Sequence, residues 1–187
     1  MTDFEFVFAL FGLLLGLSLA EVLSGLARAI EARIRPGATV RVGWLTPLLA
    51  TFVLLDLLSF WASAWISRAF IAVSAHALMA VMFFAGAYYL AAALVFPRQT
   101  DEQSDFDDHF FRVRRIVIGV MLALLVCQIG WYATLPGLAA RFFQPLNLFM
   151  TALLAALMIA AMLVRGERAA RLVMLALVAR YLILYLR

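Results

Sequence analysis

The chain has 187 residues, of which 67% are hydrophobic and only 14% are charged, and its formal net charge is +4. This composition excludes a soluble globular domain, and in such a chain the basic excess is typical of membrane-flanking loops rather than of nucleic-acid binding. All 15 basic residues are arginine and there is one cysteine, Cys127, which excludes lysine Schiff-base chemistry, an intrachain disulfide and a thiolate metal cluster.

Six apolar segments are predicted to cross a bilayer, because a transmembrane helix needs about 20 mostly apolar residues. The first begins beside Asp3 and Glu5 without a basic residue, so we interpret it as a retained helix and not as a signal peptide. The sixth has only 15 residues and is predicted to be a short span, with a re-entrant or interfacial helix as the alternative. The predicted spans are residues 4–27, 42–65, 70–96, 116–135, 142–164 and 172–186. The sequence therefore predicts an all-α integral membrane protein, with residues 1–187 forming one compact six-helix domain.

The arginines predict the orientation of this bundle. Connectors 28–41, 98–115 and 165–171 together carry eleven arginines, whereas the opposite side carries three. Cytoplasmic loops of membrane proteins carry such an excess, so these connectors are predicted to be cytoplasmic and both termini to lie outside. The use of arginine without lysine is typical of a GC-rich genome, and the predicted location is a bacterial cytoplasmic membrane.

Small residues recur at four-residue spacing in two of the segments. This spacing places them on one smooth helix face, where another helix backbone can approach closely. We interpret these faces as packing sites within the bundle, with self-association as the alternative. The residues are Gly12, Gly16, Ala20 and Ser24 in the first segment, and Ala152, Ala156 and Ala160 in the fifth.

Asp56 lies near the middle of the second predicted span. A charged residue at this depth costs roughly 2.5–3.5 kcal/mol, so it needs a partner or a water-filled cavity. Ser59, Ser63 and Ser67 follow Asp56 on the same helix face. This face is predicted to line a path for water, a proton or a small cation, and the alternative is a structural aspartate that is hydrogen-bonded between helices.

Two further charged residues, Arg180 and Glu21, lie within the predicted spans. Arg180, in the sixth span, cannot lose its proton, and we predict that it forms an ion pair with Asp56 that fixes the last helix to the second. Glu21, in the first span, could pair with Arg28 or with Arg180, or stay protonated in apolar surroundings. A protonatable Glu21 and Asp56 at different depths would provide two stations for a proton.

The remaining polar positions give weaker signals. Gln128 and Asn147 could extend a polar cluster with Asp56 and His76, although a lone histidine within a membrane is more often a hydrogen-bonded packing residue than a ligand. The acidic connector 101–109 lacks the glycine and the ligand spacing of a calcium loop, and the arginines of 165–171 lie at a turn instead of along a voltage-sensing helix. No metal site and no cofactor are predicted.

The predicted function is transport of protons or small cations through the intramembrane carboxylates. The alternative is a non-catalytic subunit that assembles a larger membrane complex through its small-residue faces. An enzyme is not predicted, because the chain carries no nucleophile elbow, phosphate-binding loop, zinc motif or dinucleotide fingerprint. The expected partners are the lipid bilayer and either a second copy of the chain or other membrane subunits, and no nucleic acid is expected.

Overall fold

The computed structural model describes residues 3–34, 41, 43–67, 74–98 and 105–185. Within these residues the chain forms seven helices and no sheet, and five of the helices are long and apolar enough to cross a membrane. This confirms the predicted all-α integral membrane fold. The helices are α1 (Asp3–Ile34), α2 (Leu45–Ile66), α3 (Ala75–Val95), α4 (Phe106–Ala133), α5 (Pro136–Phe142), α6 (Pro145–Leu163) and α7 (Glu167–Tyr185). Some predicted positions lie outside the described residues. They are the span boundaries at 42, 70 and 186 and the acidic connector positions 101–104.

Two helices extend well beyond the predicted spans into polar sequence. α1 continues to Ile34, because its alanine, leucine, arginine and glutamate residues favour helix even where hydropathy falls. α4 begins at Phe106, ten residues before the predicted span. The Asp105 side chain caps it by accepting the Asp107 N–H at 2.9 Å, and acidic residues in the first turn complement the helix dipole.

The C-terminal part of the bundle differs from the prediction at two helices. The short helix α5 was not predicted, and α7 is longer than the sixth predicted span. α5 spans seven residues and begins at Pro136, a residue that is pre-organised for the first turn of a helix. α7 begins at Glu167 and has 19 residues, or about 28 Å, because the polar turn before the predicted sixth span is itself helical. The charged first turns of α7 keep it out of the five apolar candidates, yet it packs against α2 and α6 inside the bundle.

Four helices surround the centre of the molecule. α2 contacts α4 and α7, and α6 also contacts α4 and α7, so these four helices form a ring. α3 packs on the outside of α2 and α4, and α1 packs mainly on α3. At one end of the bundle α2, α4 and α7 begin and α1, α3 and α6 end. We call this the arginine-rich end, because it carries Arg33, Arg112, Arg165 and Arg168.

The hydrophobic core fills the half of the bundle next to the arginine-rich end. Most of its large side chains come from the first two-thirds of α2, α4 and α7 and from the second halves of α3 and α6, and α1 adds Leu15 and Val22. The most completely buried include Leu45, Leu49, Phe52, Phe106, Phe110, Ile118, Met121, Met158, Met174 and Leu177. The opposite half holds few buried side chains and is therefore where an internal space remains.

The starts of α2 and α4 bind each other at the arginine-rich end. The Asp107 carboxylate accepts the Leu45 N–H at 2.9 Å, and the Thr46 hydroxyl donates to the Phe106 carbonyl at 2.5 Å. The first N–H groups of a helix have no partner within their own helix, so Asp107 supplies to α2 the cap that Trp44 does not. These bonds tie α2 to α4 at this end.

Two arginines of α4 bind the end of α6 in the same region. Arg114 is 4% exposed, its Nη1 donates to the Ala161 carbonyl at 3.0 Å, and its guanidinium lies 4.6 Å from the centroid of the Phe111 ring. Arg115 Nε donates to the Met162 carbonyl at 3.4 Å. The last carbonyls of a helix lack intrahelical partners and carry its negative dipole end, so these cations stabilise the end of α6.

Gly25 lets α1 approach the end of α3 closely. An added Cβ at Gly25 would lie 2.7 Å from Cγ and 2.8 Å from Cβ of the buried Phe96 side chain. We expect Gly25→Ala to lower the free energy of unfolding by about 1–3 kcal/mol, because part of this overlap is with Phe96 atoms close to its backbone. Thermal unfolding of the purified protein in detergent measures the change. Gly12→Ala is the matched control, since a Cβ there meets nothing within 4 Å, and an equal loss in both variants would contradict the close approach.

Candidate functional site

The Asp56 carboxylate joins three helices near the middle of the bundle. The Tyr88 hydroxyl of α3 donates to Oδ2 at 2.6 Å, and the Tyr181 hydroxyl of α7 donates to Oδ1. Both tyrosines are 3% exposed, so these bonds lie away from bulk solvent. Hydrogen bonds to a carboxylate are roughly twice as strong as those between neutral groups, and here they hold α3 and α7 to α2.

A cavity of about 860 Å³ extends from Asp56 towards the end of the bundle opposite the arginine-rich end. Apolar side chains of α4, α5, α6 and α7 make up much of its wall, and polar side chains are spread along its length. The polar residues are Asp56, Ser59, Ser63, Tyr88, Gln128, Tyr132, Asn147, Thr151, Arg180 and Tyr181. The volume suits a hydrated ion or a small organic molecule.

The cavity is closed on the side of the arginine-rich end. In α2 the residues preceding Asp56 towards that end include the buried Phe52 and Val53, whereas those following it, Ser59 and Ser63, line the cavity. On α7 the buried Met174 likewise precedes Ala176, the first residue of this helix that lines the cavity. Asp56 therefore lies at the boundary between a dry core and a polar cavity.

Most of the predicted polar face of α2 does line this cavity. Ser59 and Ser63 share it with Asp56, and Gln128 lies across it on α4, where its side-chain amide donates to the Tyr132 hydroxyl at 3.1 Å. Ser67 does not reach it, because its buried hydroxyl donates to the Ser63 carbonyl at 2.9 Å.

Asp56 and Arg180 do not form the predicted ion pair in the described structure. Arg180 Nε donates instead to the Met150 carbonyl on α6 at 2.9 Å, and its guanidinium lies 5.0 Å from the centroid of the Tyr181 ring. The predicted attachment of the last helix to the second exists, but the Tyr181 hydroxyl makes it. The tyrosine next to Arg180 reaches Asp56, while Arg180 itself points towards α6.

Glu21 and His76 lie away from the cavity. Glu21 is on α1, and one of its carboxylate oxygens is 3.7 Å from an Arg28 nitrogen on the same helix. His76 is exposed in the first turn of α3. Neither residue lines the cavity, so the structure does not bring Glu21 and Asp56 into one polar path.

Tyr88 and Tyr181 are the site residues that the sequence analysis missed. Both were grouped with the hydrophobic residues of the third and sixth predicted spans, so neither stood out as a polar group. The available signal was chemical, because a buried tyrosine hydroxyl needs a hydrogen-bond partner and Asp56 was an unpartnered acceptor at a similar depth.

The small-residue faces point outwards from the described bundle. Gly16, Ala20 and Ser24 are exposed, and an added Cβ at Gly12 or Gly16 would meet nothing within 4 Å. On α6, Ala152 and Ala156 are exposed as well. α1 packs through a different face, which holds Phe11, Leu15, Ser18, Val22, Gly25 and Ala29.

Among the described residues, no group of three or more histidine, cysteine, aspartate or glutamate side chains is placed to hold a metal ion. The donors around Asp56 are hydroxyl, amide and guanidinium groups, which suit hydrogen bonding to a solute better than coordination of a transition metal. In comparisons with known proteins, no family model matches this sequence, and no curated protein and no solved structure matches it.

Proposed function

We propose that this membrane protein moves protons or a small cation across the bilayer, with Asp56 as the binding site. The observation that carries the proposal is the position of Asp56, a carboxylate at the closed end of a one-sided cavity, near the middle of a membrane-spanning helix. Ionisable groups at this depth in membrane proteins mark ion pathways and proton relays.

The polar face of α2 supplies the route between Asp56 and the open end. Ser59 and Ser63 lie about one and two helical turns from Asp56, at successive intervals of about 4.5 and 6 Å along the axis. Hydroxyl groups both donate and accept hydrogen bonds, so with water between them they can relay a proton or replace part of the hydration of a cation. Among the described residues that line the cavity, Asp56 is the sole acid, so it is the proposed counter-charge for the permeant species.

The closed half of the bundle implies a carrier and not an open pore. Buried side chains such as Phe52, Met121 and Met174 occupy the space between Asp56 and the arginine-rich end. In this proposal the ion reaches that end only after Tyr88 and Tyr181 release the carboxylate and the surrounding helices shift. Transport would then alternate between two one-sided states, as in carriers whose helices rock around a central site.

The proposal is tested by flux into liposomes that contain the purified protein. A proton or cation flux above that of protein-free vesicles, under an imposed pH gradient or voltage, would support it. Vesicles that stay as tight as protein-free ones across pH and voltage would overturn it.

A second candidate function is that of a non-catalytic subunit of a larger membrane complex. The exposed faces of Gly16 and Ala20 on α1 and of Ala152 and Ala156 on α6 favour it, because small residues at lipid depth allow another helix to pack closely. Tight vesicles in the flux experiment would leave this as the better supported function.

A further inference from the structure

Arg180 places a permanent positive charge in the wall of the cavity. Its Nε donates to the Met150 carbonyl, and its guanidinium lies over the Tyr181 ring. Among the described residues no carboxylate forms an ion pair with it, and both oxygens of Asp56 already accept tyrosine hydroxyls. A guanidinium has five N–H donors, so the Arg180 side chain keeps donors for a ligand in the cavity.

The exposed part of the cavity wall lies mainly along α6 and α7, and we call it the gap between these helices. Ala176, Ala179 and Ile183 lie along one face of α7, and each of them both lines the cavity and is exposed. Leu146 on α6 has the same two properties. Side chains that line a cavity and are also exposed form its rim, so most of the rim follows these two helices, and Ile66 at the end of α2 adds to it. Because α6 is a candidate membrane span, this gap faces the hydrocarbon of the bilayer.

Polar and apolar groups follow one another along this gap. Met150, which binds Arg180, lies five residues after the start of α6, or about 8 Å along the helix axis. The guanidinium is therefore nearer to the open end of the bundle than the apolar part of the gap is. Deeper in the gap the wall is formed by Leu153, Leu157 and Ala176. This order of a cation towards the open end and an apolar wall below it matches an amphiphile with an acidic head.

We infer that the gap between α6 and α7 binds one acidic amphiphile from the bilayer, with its carboxylate or phosphate on Arg180 and its acyl chain along Leu153 and Ala176. Arginine binds both kinds of oxyanion through parallel N–H donors. An apolar gap that faces lipid is also filled readily by an acyl chain, since lipid tails are as apolar as the leucine wall. This site does not require ion transport through Asp56, so it stands or falls separately from the proposed function.

Native mass spectrometry in a neutral detergent tests this site, with oleic acid, phosphatidylglycerol or phosphatidylcholine added at equal concentration. We expect the wild-type protein to retain one molecule of an acidic amphiphile and Arg180→Gln to bind it about tenfold more weakly, as the loss of one charge-assisted contact predicts. Retention of oleic acid alone would identify a free fatty acid, and retention of phosphatidylglycerol alone would identify a phospholipid. Either result supports the site.

Two further variants isolate the cause. Arg112→Gln removes the same charge from an exposed position outside the cavity, and it should leave binding unchanged. Ala179→Phe fills the gap without touching a charge, and it should weaken binding even if Arg180→Gln does not fold. Equal retention of phosphatidylcholine and the acidic amphiphiles by the wild type would overturn the inference. Unchanged binding in both Arg180→Gln and Ala179→Phe would overturn it as well.

Discussion

Asp56→Asn is expected to reduce proton and cation flux to the level of protein-free vesicles. Asparagine has nearly the shape of aspartate, and its side chain can still accept a hydrogen bond from Tyr88 or Tyr181, so the three-helix contact and the fold should survive. The amide carries no charge and does not titrate near neutral pH, so it can neither attract a cation as a carboxylate does nor take up and release a proton. A trapped pH-sensitive dye under an imposed potential measures the proton flux, and an ion-sensitive dye measures the cation flux.

Glu21→Gln is the matched control for this experiment. It removes a carboxylate from another membrane-spanning helix, but Glu21 lies beside Arg28 on α1 and does not line the cavity. Its flux should equal that of the wild type. Wild-type flux in Asp56→Asn, or an equal collapse in both variants, would contradict the assignment of the path to the cavity.

Arg114→Ala is expected to lower the free energy of unfolding by about 3 kcal/mol, the largest stability loss that we predict for a single residue. A charge-assisted hydrogen bond contributes roughly 1.5–3 kcal/mol, and truncation also leaves the Ala161 carbonyl at the end of α6 without this donor. The contact with the Phe111 ring is lost as well, which leaves a void among buried side chains. Thermal or denaturant unfolding in detergent measures the effect.

Arg112→Ala shows whether the loss of stability in Arg114→Ala comes from the contacts of Arg114 or only from removal of a positive charge on α4. Arg112 lies two residues earlier on α4 and is exposed, so its removal should change stability by no more than about 0.5 kcal/mol. Arg114→Lys should fall between the two, because lysine keeps a cationic donor but not the planar guanidinium that packs on Phe111. Similar stability of Arg112→Ala and Arg114→Ala would show that Arg114 does not hold α6.

The sequence predicted the membrane fold well because hydropathy over about 20 residues directly reflects the length of a span. It failed where helices continue into polar sequence. The start of α4 at Phe106 depends on the Asp105 cap, and the start of α7 at Glu167 lies in an arginine-containing turn that hydropathy excludes. Local capping and helix propensity determine these boundaries, and neither contributes to an average of hydropathy.

The candidate site could be predicted only within single helices. Asp56, Ser59 and Ser63 share a face because of the helical period, and that face does line the cavity. The partner of Asp56 depended on how α3 and α7 are rotated against α2, which one sequence does not reveal. Charge complementarity favoured Arg180 as the partner. Tyr181 is the next residue on α7, about 100° further around the helix axis, and its hydroxyl reaches the Asp56 carboxylate instead.

The bonds that join the starts of α2 and α4, and the arginines that hold the end of α6 to α4, give the bundle a fixed base. Widening of the cavity by rotation about this base would keep these hydrogen bonds, whereas sliding of the helices would break them. A rotation of about 10° displaces the far end of a helix about 28 Å long by roughly 5 Å. A bundle that moved in this way would act as a lever, in which a small change in angle at the base becomes a displacement as wide as an acyl chain at the opposite end.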